Sequence, residues 1–112
     1  MVIIFMSSDG GSISHAAIKK VLERVGSHTG VVGSVLCDLQ GLPLQSTLPP
    51  DDAESISAQC GSLVGKVKTV TEEITGEIPR SIRIETTNGD IEIIPDYSTE
   101  ITIVALIQRK GA

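Results

Sequence analysis

The segment Ser81-Ile-Arg-Ile-Glu-Thr-Thr-Asn-Gly-Asp-Ile-Glu-Ile-Ile-Pro-Asp-Tyr-Ser-Thr-Glu-Ile-Thr-Ile-Val-Ala-Leu-Ile-Gln108 decides the fold. Ser81–Thr86 alternates polar and apolar residues with period two, the pattern of a strand with one covered face. Asp90–Pro95 repeats that pattern after Asn88-Gly89, a pair that favours a tight type I′ hairpin turn. Asp96–Thr99 forms a second turn. Glu100–Gln108 then carries consecutive apolar residues through its centre, so it needs cover on both faces and belongs in the middle of a sheet. Three consecutive strands joined by short turns make the sheet antiparallel.

Upstream, Gly30–Asp38 and Leu42–Leu48 read as two further strands around the turn Leu39-Gln40-Gly41. Pro43 cannot donate to a ladder, which places the second of them at an edge. Between the two groups of strands, Pro49-Pro50-Asp51-Asp52 opens a long helix. Proline is tolerated in the first turn, acids face the positive end of the dipole, and Asp51 with Glu54 has the spacing of a capping box. Ile56, Cys60, Leu63, Val67, Val70 and Ile74 form its expected buried stripe, and Gly76 with Pro79 ends it. A shorter helix is expected from Ser14 to Val25, its stripe made by Ile18, Val21, Leu22 and Val25. The expected fold is therefore α+β within the wider α/β class: a five-stranded antiparallel sheet with helices on both faces, in the order α-β-β-α-β-β-β. Residues 1–12 read as an apolar arm and flexible spacer, and residues 13–110 as the domain.

The chain has 112 residues and a formal charge of -5, enough length for one domain and no basic stripe for nucleic acid. Phe5 and Tyr97 are its two aromatic residues, too few for a base-stacking platform. No run approaches the length of a membrane span, and the apolar start lacks a basic n-region, so a cytoplasmic protein without direct membrane insertion is expected. Cys37 and Cys60 have no metal-ligand spacing and suit buried apolar sites in a reducing compartment. His15 and His28 have no ligand partner at the right spacing. Gly30, Gly33 and Gly41 lack the helix and lysine of a phosphate loop, so they read as backbone shape. No catalytic residue, metal or cofactor is expected.

In order and spacing, Gly30-Val-Val-Gly33, the run Asp38-Leu-Gln-Gly-Leu-Pro-Leu-Gln-Ser-Thr47, Arg83-Ile84, Glu92-Ile-Ile-Pro95 and Ile103–Gln108 resemble the roadblock family of dynein light chains and small-GTPase regulators. The resemblance covers about residues 14–109. Many members add a helix after the last strand; this chain stops at Ala112, as the short dynein light-chain type does. The resemblance implies a non-enzymatic dimer, with itself or with a paralogous roadblock protein. Two sheets would join through the strand after the long helix, bringing Ile82, Arg83, Ile84 and Glu85 to the seam, and the long helices would lie side by side. It also implies scaffolding or regulation of a Ras-like small GTPase, or a structural place in a motor or membrane-tethering complex. A profilin- or PAS-like ligand sensor is the remaining alternative, and it would need a roomy polar pocket.

One further signal comes from the residues. Gly61 and Gly65 stand mid-helix, where each glycine costs about 1 kcal/mol relative to alanine. With Ser57 and Ala58 they form a small uncharged surface, expected to face away from the apolar stripe and to receive a partner helix.

Overall fold

The computed structural model describes residues 30–108, together with Lys20, Arg24 and Val25. The strands are β1 (Val31–Asp38), β2 (Pro43–Ser46), β3 (Ile82–Glu85), β4 (Gly89–Asp96) and β5 (Ile101–Gln108), and the helix α1 spans Pro50–Thr75. All five strands join one antiparallel sheet in the order β2-β1-β5-β4-β3. The doubly apolar β5 lies at the centre and the proline-bearing β2 at one edge, as their composition requires. The other edge is β3.

The sheet is covered on both sides. On one face, Val35, Cys37, Ile93 and Val104 pack against Ala53, Cys60 and Val64 of α1. On the other, Leu36, Ile101 and Ile103 form a second cluster, against which Val25 and Ile94 pack. Lys20, Arg24 and Val25 are helical, but most of the expected 14–25 helix, the 1–12 arm, His15 and His28 lie outside the described residues.

Three local expectations are corrected. The capping box does not form: α1 starts at Pro50 with Pro49 in the capping position, so Asp51 falls within the first turn and no side chain caps the helix. The first helical hydrogen bond runs from Ala53 N–H to the Pro49 carbonyl. At the other end Gly76 takes φ 79° and its N–H donates to the Glu72 carbonyl, closing the helix as expected. The β3–β4 loop is centred on Thr87-Asn88, one residue earlier than expected, and neither residue has positive φ, so it is not type I′. Gly89 is used differently. It sits in β4 opposite Gln108, where a Cβ would collide with the Ile107 carbonyl. The Thr86 hydroxyl closes the loop by donating to the Gly89 carbonyl and accepting from its N–H.

The third correction concerns which side of α1 is buried. Ala53, Ser57, Cys60 and Val64 face the sheet. Ile56 and Leu63 are half-buried beside them. Val70 and Ile74, assigned to the core stripe from their spacing, are 51% and 76% exposed. The helix is rolled toward its small residues because these let it approach the β1–β2 turn.

Candidate functional site

That turn is built from Asp38. Its carboxylate accepts the N–H groups of Gln40 and Leu42, both at 2.9 Å, and Gly41 adopts φ +92°. The chain thereby presents bare backbone to α1. A Cβ on Gly61 would stand 3.0 Å from the Gly41 Cα, and one on Gly41 would stand 3.0 Å from the Ser57 carbonyl oxygen. Helix and turn meet main chain to main chain.

The four small residues therefore do not form one outward surface. Ser57 is buried and Gly61 half-buried against the turn, whereas Ala58 and Gly65 are less enclosed: Ala58 is exposed, and nothing lies within 4 Å of a Cβ on Gly65. Close backbone approach does explain Gly61, but the approaching backbone is the chain's own.

On a helical wheel the flank opposite Gly61 carries Leu63, Val67, Val70 and Ile74. It faces away from the β1–β2 turn and is apolar, yet only partly covered. Ile82, Ile84 and Ile91, from the β3–β4 side of the sheet, are likewise half-buried at the margin of the same core. Among the described residues no strand pairs with the outer side of β3.

The opposite face of β3 is charged. Arg83 reaches across to β4, placing Nη1 2.7 Å from Glu92 Oε2 and Nη2 2.8 Å from Asp90 Oδ2, with Nε 3.7 Å from Glu85 Oε2 on its own strand. The Asp90 hydrogen bond and the Glu92 charge hold the guanidinium above its ordinary pKa. Glu92 is buried beside the Arg83 guanidinium. Sequence reasoning missed this group, although the hairpin pairs Arg83 with Glu92 directly.

All four seam residues expected from the sequence thus lie on the edge strand. Ile82 and Ile84 point to the helix side, Arg83 and Glu85 to the other. Cys37 and Cys60 are both free thiols in the core. Burial pushes the Cys37 thiol up to about 11, with the Ser57 hydroxyl beside it pulling the other way. Burial also raises the Cys60 thiol. Thiols shifted in this direction stay protonated and are poor nucleophiles. A shallow, open depression at the β3–β4 hairpin end is lined by Val32, Asp90, Ile91, Leu106 and Ile107, among others. Among the described residues no group of three or more His, Cys, Asp or Glu could hold a metal ion, and no helix is long and apolar enough to cross a membrane.

The family model of the Roadblock/LC7 domain matches residues 17–105. Among solved structures the chain is similar to MglB of Myxococcus xanthus, with a TM-score of 0.74 at 16% identity over 85% of this chain and 78% of that one. It is also similar to a Roadblock/LC7 domain from Streptomyces avermitilis, with a TM-score of 0.71 at 18% identity, covering 81% and 75% of the two chains. A third is the gliding protein MglB from Thermus thermophilus, with a TM-score of 0.67 at 14% identity, covering 80% and 70%. At such identities the likeness is one of fold.

Proposed function

Because the chain belongs to the Roadblock/LC7 domain family, we propose that it is a non-enzymatic, dimeric adaptor that binds or scaffolds a Ras-like small GTPase in the cytoplasm. The observation that carries this reading is the β3 edge. Among the described residues its backbone groups lack a neighbouring strand on one side, and the apolar flank of α1 is partly exposed at Val70 and Ile74. A bare edge is a template for another strand. A second copy, or a paralogous roadblock chain, would satisfy both features at once, adding its β3 to the ladder and its α1 flank to Leu63, Val70 and Ile74. The core is aliphatic and its two thiols are suppressed, which supports binding over catalysis.

The GTPase would dock on the outward face of the paired helices, where Ala58 and Gly65 are the exposed members of the small-residue set. The test is titration of the purified dimer with a Ras-like GTPase, loaded with GDP or with a non-hydrolysable GTP analogue. Nucleotide-dependent binding that Ala58→Arg or Gly65→Arg weakens, with the dimer intact, is the expected result. A dimer that binds neither loaded form would instead be a structural, light-chain-like subunit.

A further inference from the structure

We propose that the apolar segment Val2–Met6 adds to the sheet as a further strand, along the free edge of β2 of its own chain. The dimer reading above uses the other edge of the sheet, so this inference does not rest on it.

The two edges of the sheet differ in chemistry. β3 carries Arg83 and Glu85, and charge on an edge strand discourages chance pairing. The segment Leu42–Leu48 has no charged residue, and Leu42 and Leu44 are 63% and 40% exposed. Pro43 blunts that edge at one position only, by removing a donor. Further along, Thr47 N–H donates to the Ser34 carbonyl at 3.0 Å, beside the pair Val35–Ser46. Neighbouring residues of an antiparallel strand turn their backbone groups to opposite sides. The N–H and C=O of Ser46 therefore point away from β1, where no strand among the described residues meets them. An uncharged edge with exposed leucines and an outward donor and acceptor is a template for one more strand.

The chain carries a segment of matching chemistry. Val2-Ile-Ile-Phe-Met6 is uncharged and free of proline and glycine, and Val2, Ile3 and Ile4 are β-branched, the composition that favours strand. Main-chain hydrogen bonds would hold it at Ser46, and its side chains would cover Leu42 and Leu44.

Connectivity selects this segment over a free peptide or a second copy. Val25 packs against the cluster of Leu36, Ile101 and Ile103, and Leu36 is the β1 partner of Gln45 in β2. Strands lie about 4.8 Å apart. Residues 7–19, at up to roughly 3.3 Å each, can span several times that distance. A segment tethered so closely is present at an effective concentration on the order of millimolar. With β2 covered, β3 is left as the edge open to another chain, and the sheet closes at two copies instead of growing from both ends.

A nitroxide on Ser7→Cys in the full-length, isotope-labelled chain reads the position of the segment, with wild type as the control that buried Cys37 and Cys60 take no label. The expected result is broadening of the amide signals of Leu42–Thr47 and none along Ile82–Glu85. Broadening along β3 or at Val70 and Ile74 instead, or none at Leu42–Thr47, overturns the proposal. Mixing nitroxide-bearing chains without isotope with isotope-labelled chains without nitroxide should leave Leu42–Thr47 sharp; broadening there would assign the strand to a second copy and overturn the own-chain assignment. Hydrogen exchange supplies a second measurement. The double variant Ile3→Asp with Ile4→Asp should exchange the Ser46 amide about tenfold faster than wild type, with the amides of β5 unchanged. An equal rate at Ser46 in the two chains overturns the proposal.

Discussion

Gly61 and Gly65 stand one helical turn apart and look equivalent in sequence, yet they lie in opposite physical situations. Gly61 is pressed against Gly41 with no room for a methyl group, whereas Gly65 has open space around it. The contrast extends to the two flanks of α1. One is small and is used, at Ser57 and Gly61, against a turn of its own chain. The other is apolar and is left half-open. Closeness of packing has followed side-chain size, and hydrophobicity has been left over on the flank facing the unpaired edge. A surface of that kind fits a chain whose core is completed by another molecule.

The contrast is sharpest at Gly61. Gly61→Arg should abolish folding, because the side chain must displace the Asp38–Leu42 turn, while Gly65→Arg should fold as wild type. Circular dichroism melts of the two variants distinguish these outcomes.

Ile93 and Ile74 provide the next comparison, at 0% and 76% exposure. Ile93→Ala should cost about 2–5 kcal/mol of stability in urea titration, as a cavity in a closed core does. Ile74→Ala should cost under about 0.5 kcal/mol at concentrations where the chain is monomeric, and show its effect in self-association instead.

A third outcome is set by pH. Cys37 is raised from 9.0 in the unfolded reference to about 11 in the fold. A group whose folded pKa is raised gives stability that is fully present below the unfolded value and lost as pH rises toward the folded one. Stability should therefore fall between about pH 9 and 11, by on the order of 2 kcal/mol at most. Urea midpoints of wild type against Cys37→Ala across that range measure it; equal slopes would remove the assignment.

At Gly65 the expected effect is a gain. Gly65→Ala should stabilise by up to about 1 kcal/mol, because it removes a mid-helix glycine where a Cβ is unopposed. Gly61→Ala should do the reverse, and a gain there would break the distinction between the two sites.

The strand pattern was legible because alternation and turn residues are local. The period of β3 and β4, the doubly apolar β5 and the proline of β2 each carry their own place in the sheet. The face of α1 was less legible. Its apolar spacing pointed to Val70 and Ile74, but burial followed the Gly41–Gly61 contact, which joins residues 20 apart and depends on a positive φ that no periodicity reports. The loop at Thr87-Asn88 was misplaced for a similar reason: Gly89 answers to Ile107 on the neighbouring strand rather than to its own turn. At the candidate site, the strand that holds Ile82, Arg83, Ile84 and Glu85 was legible because alternation next to a turn is local, whereas its role as a seam came from the family resemblance. The charge cluster around Arg83 was missed because Glu92 looks solvent-facing until its cross-strand partner is known.

The proposed dimer would close across β3 and the partly exposed flank of α1. Sedimentation equilibrium over a concentration series, on wild type and on the double variant Val70→Glu with Ile74→Glu, tests it most directly. A wild-type dimer at micromolar concentration and a folded monomer for the variant are expected. A wild type that remains monomeric throughout, or a variant that dimerises as tightly as wild type, would contradict it.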